Sequence, residues 1–130
     1  MDYRFMRCPD LPPLHLEEAY IDQVRLHLPE LPVETAARLK LAGLDDYQIG
    51  VLMTQESTFY FDAVCTAASG VSANKVHPWV TTELQGLLPS GTRLTINDAP
   101  VKPGQLGTLL LLLDNGSLRG PQAKELLLLL

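Results

Sequence analysis

Cysteine is nearly absent from this chain of 130 residues, and the two present, Cys8 and Cys65, stand far apart. They offer neither a disulfide framework nor a zinc-binding spacing, which suits a reducing compartment. Aromatic side chains are also few, with one Trp, four Tyr and three Phe. Long apolar runs are missing. Leu109 to Leu113 and Leu126 to Leu130 fall far short of the roughly 18 to 20 residues that a membrane-spanning helix requires. Met1-Asp2-Tyr3-Arg4 has neither the apolar centre of a signal peptide nor the acid-free character of a transit peptide. A targeting segment is therefore expected outside this chain or not at all. Positive charge is scarce overall, the net charge being −5, which argues against a nucleic-acid partner. Its distribution softens that objection. Residues 1–62 hold 11 acids against 5 bases, whereas residues 63–130 hold 4 acids against 5 bases. Affinity for phosphate is expected in the second half.

Apolar residues make up 46% of the chain, enough for the core of one small domain. Pro9, Pro12 and Pro13 keep residues 1–16 extended. From Glu17 to His27 the spacing is helical, with Ala19, Tyr20, Val24 and His27 on one face and Glu17 and Glu18 in the first turn. Pro29-Glu30-Leu31-Pro32 breaks that helix, and another runs from Val33 to Ala42, closed by Gly43. Asp45 caps a helix through Gln55, with Ile49, Leu52 and Met53 facing inward. Residues 56–69 place Phe59, Tyr60, Val64 and Cys65 in helical register, and Gly70 ends the run. Ser72 starts a helix over 73–88 with Val76, Val80, Leu84, Leu87 and Leu88 as its apolar members. Pro78 falls inside it and is expected to kink it or delay its start. Residues 89–102 read as a loop with a short extended stretch, Leu94-Thr95-Ile96. Pro103 opens a helix through Asp114, Asn115-Gly116 stops it, and Gly120-Pro121 opens the last one. The expected fold is all-α: a small bundle of about six short helices behind an extended Pro-rich arm. No period of 20–50 residues repeats, so a solenoid is excluded.

The chemistry-bearing residues are sparse. His15, His27 and His77 lack acids or cysteines at metal or metalloprotease spacings and read as structural or solvated. Cys65 could act as a nucleophile only with a histidine beside it, so it reads as a small buried side chain. Asp45 and Asp46 are explained as a helix cap and a first-turn acid. Gly104-Gln105-Leu106-Gly107 lacks the Gly-Lys-Ser/Thr ending of a phosphate loop. No catalytic or metal-binding set is expected. Lys75, Lys102, Arg119 and Lys124 are the candidates for phosphate contact, where single bases neutralise charge without reading sequence. Solvated surface is the plainer reading of the same four residues.

Several short motifs fall in an order that resembles one family. Tyr3-Arg4-Phe5-Met6 followed by Pro9-Asp10-Leu11-Pro12-Pro13 is similar to the stretch that closes the catalytic cradle domain in the B subunit of aminoacyl-tRNA amidotransferases. Leu28-Pro29-Glu30-Leu31-Pro32, then Gly43-Leu44 with Asp46-Tyr47 and Val51-Leu52, resemble the first helices after that cradle. Tyr60-Phe61-Asp62, Trp79 and Glu83-Leu84 match the next helix pair. Pro100-Val101-Lys102-Pro103, Gln105-Leu106, Leu109-Leu110, Asp114, Gly116 and Ala123-Lys124-Glu125 resemble the segment before that family's C-terminal tail domain, including the start of the related YqeY-type domain. The departures are Arg7-Cys8 in place of Pro-Glu, Pro78 before Trp79, Gly104 and Gly107 in place of Glu and Ala, and the terminal leucines in place of a charged amphipathic helix.

The resemblance implies that residues 1–16 follow a missing cradle domain and that residues 17–130 form the tRNA-docking helical domain, without the tail. In that family, the A, B and C subunits together convert misacylated tRNA to Gln-tRNA(Gln) or Asn-tRNA(Asn) with glutamine as the nitrogen donor. ATP and Mg belong to the cradle, so this segment is expected to hold no cofactor and no active site. Lys124 has the best claim to phosphate, since it falls on the family's Ala-Lys. The Tyr-Arg-Phe-Met variant points to a mitochondrial protein, with bacterial cytoplasm as the alternative. A helical adaptor that binds protein through its Leu-rich C-terminal faces is the rival reading, and a small enzyme using Cys65 or a histidine is a distant third.

Overall fold

In a computed structural model of the chain, residues 10–89, 94–96 and 99–130 are described. Most of the expected N-terminal arm, including Tyr3-Arg4-Phe5-Met6 and Cys8, lies outside them. Asp10 lies in a turn, Leu11 in a bend, and 12–17 have no regular structure. Among the described residues the regular elements are seven α-helices and one π-helical segment, with no strand. The helices are α1 Glu18–Leu26, α2 Pro32–Leu41, α3 Asp46–Thr54, α4 Thr58–Ala67, α5 Ala73–Pro78, α6 Pro103–Asp114 and α7 Gly120–Leu129; the π segment is Trp79–Leu84. The chain divides into two compact units, residues 1–30 and residues 31–130.

The first unit contains α1, which buries no residue. The expected apolar face does not become a core face: Tyr20 and Val24 are both exposed. Thirty residues hold too little apolar surface to enclose a core of their own. Local bonds order this helix instead. The ring Nδ1 of His27 stands 2.7 Å from the Gln23 carbonyl, which can only accept, so Nδ1 carries the hydrogen and closes the last turn.

The second unit holds every buried apolar side chain among the described residues. Its turns follow from residue chemistry. Gly43 has a φ of +97°, and the N–H of Leu44 reaches back to the Leu39 carbonyl at 3.2 Å, so α2 ends in a Schellman turn. The Asp45 carboxylate accepts from the Gln48 N–H at 2.7 Å, and the Gln48 side chain accepts from the Asp45 N–H at 3.0 Å, a reciprocal capping box. α3 ends in the same type of turn as α2, with Glu56 in the left-handed position at φ +52°. That conformation moves the start of the next helix from the expected Glu56 to Thr58.

α4 and α6 pack extensively against each other. Gly107 faces Ala67 and Ala68, and a Cβ added there would lie 2.6 Å from the Ala67 Cβ. Leu106, Leu109 and Leu110 of α6 are buried, as are Tyr60, Phe61, Val64 and Ala68 of α4 and its C-terminal turn. Phe59 points to solvent, because the inward face of α4 runs through 60, 61, 64 and 68 at helical spacing. The Tyr60 hydroxyl donates to the Val101 carbonyl at 2.8 Å, and burial raises its phenol above the ordinary value. Val101, Ala99 and Leu94 are themselves buried, so the 89–102 loop carries core residues. Leu94 and Thr95 have no regular structure and Ile96 lies in a turn; the expected extended stretch forms no strand.

The expected helix 73–88 is observed as α5 continuing through the π segment. Proline supplies no N–H for the α-ladder, and the ladder passes to wider i→i+5 closure directly after Pro78. The Thr81 hydroxyl donates to the His77 carbonyl at 2.9 Å. Val76, Trp79, Val80 and Leu84 are buried, whereas Leu87 is exposed. Among the described residues no helix is long and apolar enough to cross a membrane.

Candidate nucleic-acid interface

The four bases singled out from the sequence all lie on the part of the second unit from α5 onward. Lys102 is the N-cap of α6 and Arg119 the N-cap of α7. Each donates its backbone N–H to a glutamine three residues on, Lys102 to Gln105 at 2.9 Å and Arg119 to Gln122 at 3.0 Å. Half of a capping box therefore fixes both sites. A cation at a helix N-terminus runs against the macrodipole but strengthens the local positive field that attracts anions. Lys75 and Lys124 are ion-paired. Lys75 bonds Asp114, the last residue of α6. The Nζ of Lys124 lies 2.6 Å from a carboxylate oxygen of Glu83 in the π segment.

Both bridges cross one seam, between the α5–π run and the α6–α7 pair. A third, bidentate pair joins α2 to α4, with Arg38 donating to the two Asp62 oxygens at 2.9 and 2.8 Å. None of these acid partners was identifiable from the sequence, because the pairs span 24 to 41 positions. Spacing rules reach only three or four residues along one helix.

Cys65 is half-buried, beside Arg38 and Asp62 in an open groove. Burial, followed by the Asp62 charge, pushes its thiol up to about 11 against the lowering effect of Arg38. A nucleophilic cysteine needs the opposite shift. His77 is buried, with Nε2 3.3 Å from the Gln48 carbonyl, and ties α5 to α3. His15 and His27 are exposed. Asp46 bonds Lys40 at 2.7 Å and Asp45 caps α3, which accounts for the adjacent acids. Gly104 to Gly107 lie at the start of α6. Among the described residues no group of three His, Cys, Asp or Glu could hold a metal ion.

No protein-family model matches the chain. Curated proteins do match it. It is 44% identical over 128 residues to the B subunit of an aspartyl/glutamyl-tRNA(Asn/Gln) amidotransferase of Ruegeria sp. (strain TM1040), covering 96% of this chain and 24% of the relative. The corresponding protein of Elusimicrobium minutum (strain Pei191) is 40% identical, over 96% of this chain and 26% of its own length. The chloroplastic/mitochondrial B-1 subunit of a glutamyl-tRNA(Gln) amidotransferase of Micromonas pusilla (strain CCMP1545) is 35% identical, over 97% of this chain and 23% of its own length. The chain is thus an all-helical segment whose counterpart recurs inside much longer proteins, and it spans about a quarter of the curated relatives it matches. Over 96% of its length it is similar to amidotransferase B subunits.

Proposed function

We propose that this chain is the tRNA-docking helical part of the B subunit of a glutamine-dependent aminoacyl-tRNA amidotransferase, and that it contributes no active site. The relation to amidotransferase B subunits over 96% of the chain carries this reading. In the whole assembly, the A and C subunits would be its protein partners and tRNA(Gln) or tRNA(Asn) its nucleic-acid partner. The assembly would be an ATP-dependent carbon–nitrogen ligase with glutamine as nitrogen donor. ATP and Mg would be held by the cradle domain that precedes residues 1–16 in this reading, and no step is assigned to them on residues 17–130. Relatives occur in bacteria and in an organellar form; a mitochondrial setting is part of the proposal.

Docking would be electrostatic and carried by Lys75, Lys102, Arg119 and Lys124. The leucines Leu128, Leu129 and Leu130 are exposed, a surface that a helical adaptor would offer; the family relation favours tRNA. The test is a titration of the chain with several tRNAs at low salt. Two to four phosphate contacts predict that log affinity falls by about 2 to 4 units per tenfold rise in salt. Lys102→Gln with Arg119→Gln should weaken every tRNA alike, because phosphate contacts carry no sequence information. Absence of binding at low salt would overturn the reading. Glutamine hydrolysis or ATP consumption by the isolated chain would overturn the claim that it lacks an active site.

A further inference from the structure

We infer that Glu83 and Asp114 are built-in competitors for phosphate, each occupying a lysine that tRNA must win over by exchanging a carboxylate for a backbone phosphate. This rests on the docking reading above and adds its control. In each bridge the base is the outer partner. The Lys124 side chain is 55% exposed against 28% for Glu83, and Lys75 is 61% exposed against 32% for Asp114. A polyanion arriving from solvent therefore meets the ammonium groups first, while the acids sit beneath them.

Both lysines lie on the seam between the α5–π run and the α6–α7 pair. Lys75 and Glu83 are eight positions apart along that run, so the two bridges are separated by on the order of 10 Å. Neighbouring phosphates along one RNA strand lie closer together than that, so separate phosphates of one strand can engage the two lysines. Exposed ion pairs are weak, which makes the exchange reversible. A single phosphate gains little over the carboxylate it replaces. A folded strand that presents several phosphates at the right spacing gains at both positions together, so the acids filter out short or weakly charged anions.

The test compares the wild-type chain with Glu83→Gln, Asp114→Asn and Glu125→Gln in tRNA titrations at low salt, after thermal melts establish that each is folded. Glu83→Gln and Asp114→Asn should each tighten binding about two- to fivefold. Glu125→Gln removes the same charge from α7 outside the bridges and should change affinity less. The gain from Glu83→Gln should vanish in a Lys124→Gln background. Equal effects of all three substitutions, no tightening by the first two, or a gain that persists without Lys124 would each overturn the inference while tRNA binding by the wild type still stands. Failure of every protein to bind tRNA would overturn the docking reading, and the inference with it.

Discussion

A methyl group added at Gly107 would lie 2.6 Å from the Ala67 β-carbon and 3.0 Å from the Ala67 carbonyl carbon. Gly107→Ala is therefore expected to force α4 and α6 apart and to cost about 1 to 3 kcal/mol. Three positions earlier, Gly104 is exposed with nothing near its would-be Cβ, and Gly104→Ala should stabilise by roughly 0.5 to 1 kcal/mol. Urea unfolding of the two variants should move the midpoint in opposite directions. Of the two glycines only Gly107 has a structural reason to be small. Cys65 makes a second test at this scale. Its thiol is raised to about 11 in the fold, above the roughly 8.5 of an unfolded cysteine. The protonated thiol is thus the form that folding favours. Its contribution is complete below the unfolded value and is lost as pH rises through 11. In a Cys8→Ser background, Cys65 should alkylate slowly at neutral pH, and stability should fall across that alkaline window less steeply once Cys65 is replaced by Ala.

At the scale of the element, Pro78 is the sixth residue of a helical run that begins at Ala73, too deep for the first-turn tolerance that proline enjoys. Pro78→Ala restores a donor at this position. The full interior cost of proline is about 3 kcal/mol, offset by the greater freedom of the unfolded alanine chain, worth roughly 0.5 to 1 kcal/mol. Stability should rise by about 2 to 2.5 kcal/mol, read as a higher urea midpoint at unchanged slope. Much of the helical punctuation was legible beforehand because it is local. Gly43, Gly70 and Gly116 each adopt positive φ where a helix was expected to stop, Asp45 caps α3, and Pro103 opens α6. The features that were not legible depend on which surfaces meet. Leu94, Ala99 and Val101 look like loop residues, yet all three are buried, and the Val101 carbonyl receives the Tyr60 hydroxyl. Phe59 looks like core until α4 is rotated to point 60, 61 and 64 inward. The candidate bases were found from charge alone, but their carboxylate partners come from other helices and have no signature in sequence.

At the scale of the molecule, residues 31–130 contain the whole buried core of the described chain. A protein of these hundred residues should unfold in one transition, with a calorimetric enthalpy at the midpoint of about 60 to 80 kcal/mol. A broad, low-enthalpy transition would show that this unit does not fold by itself. The hydrogen bond from Tyr60 to Val101 carries a further consequence, for the route rather than the end point. It joins positions 41 residues apart, and the Gly107–Ala67 contact spans a similar stretch. The capped helices α2 and α3 are joined by a short turn, so contacts between them need little loop closure. The α4–α6 junction must first close the intervening loop, and the entropy of that closure is lost before any contact repays it. Folding speed should therefore be set at this junction, and Tyr60→Phe should hasten unfolding or slow folding according to whether the loop is already closed at the barrier.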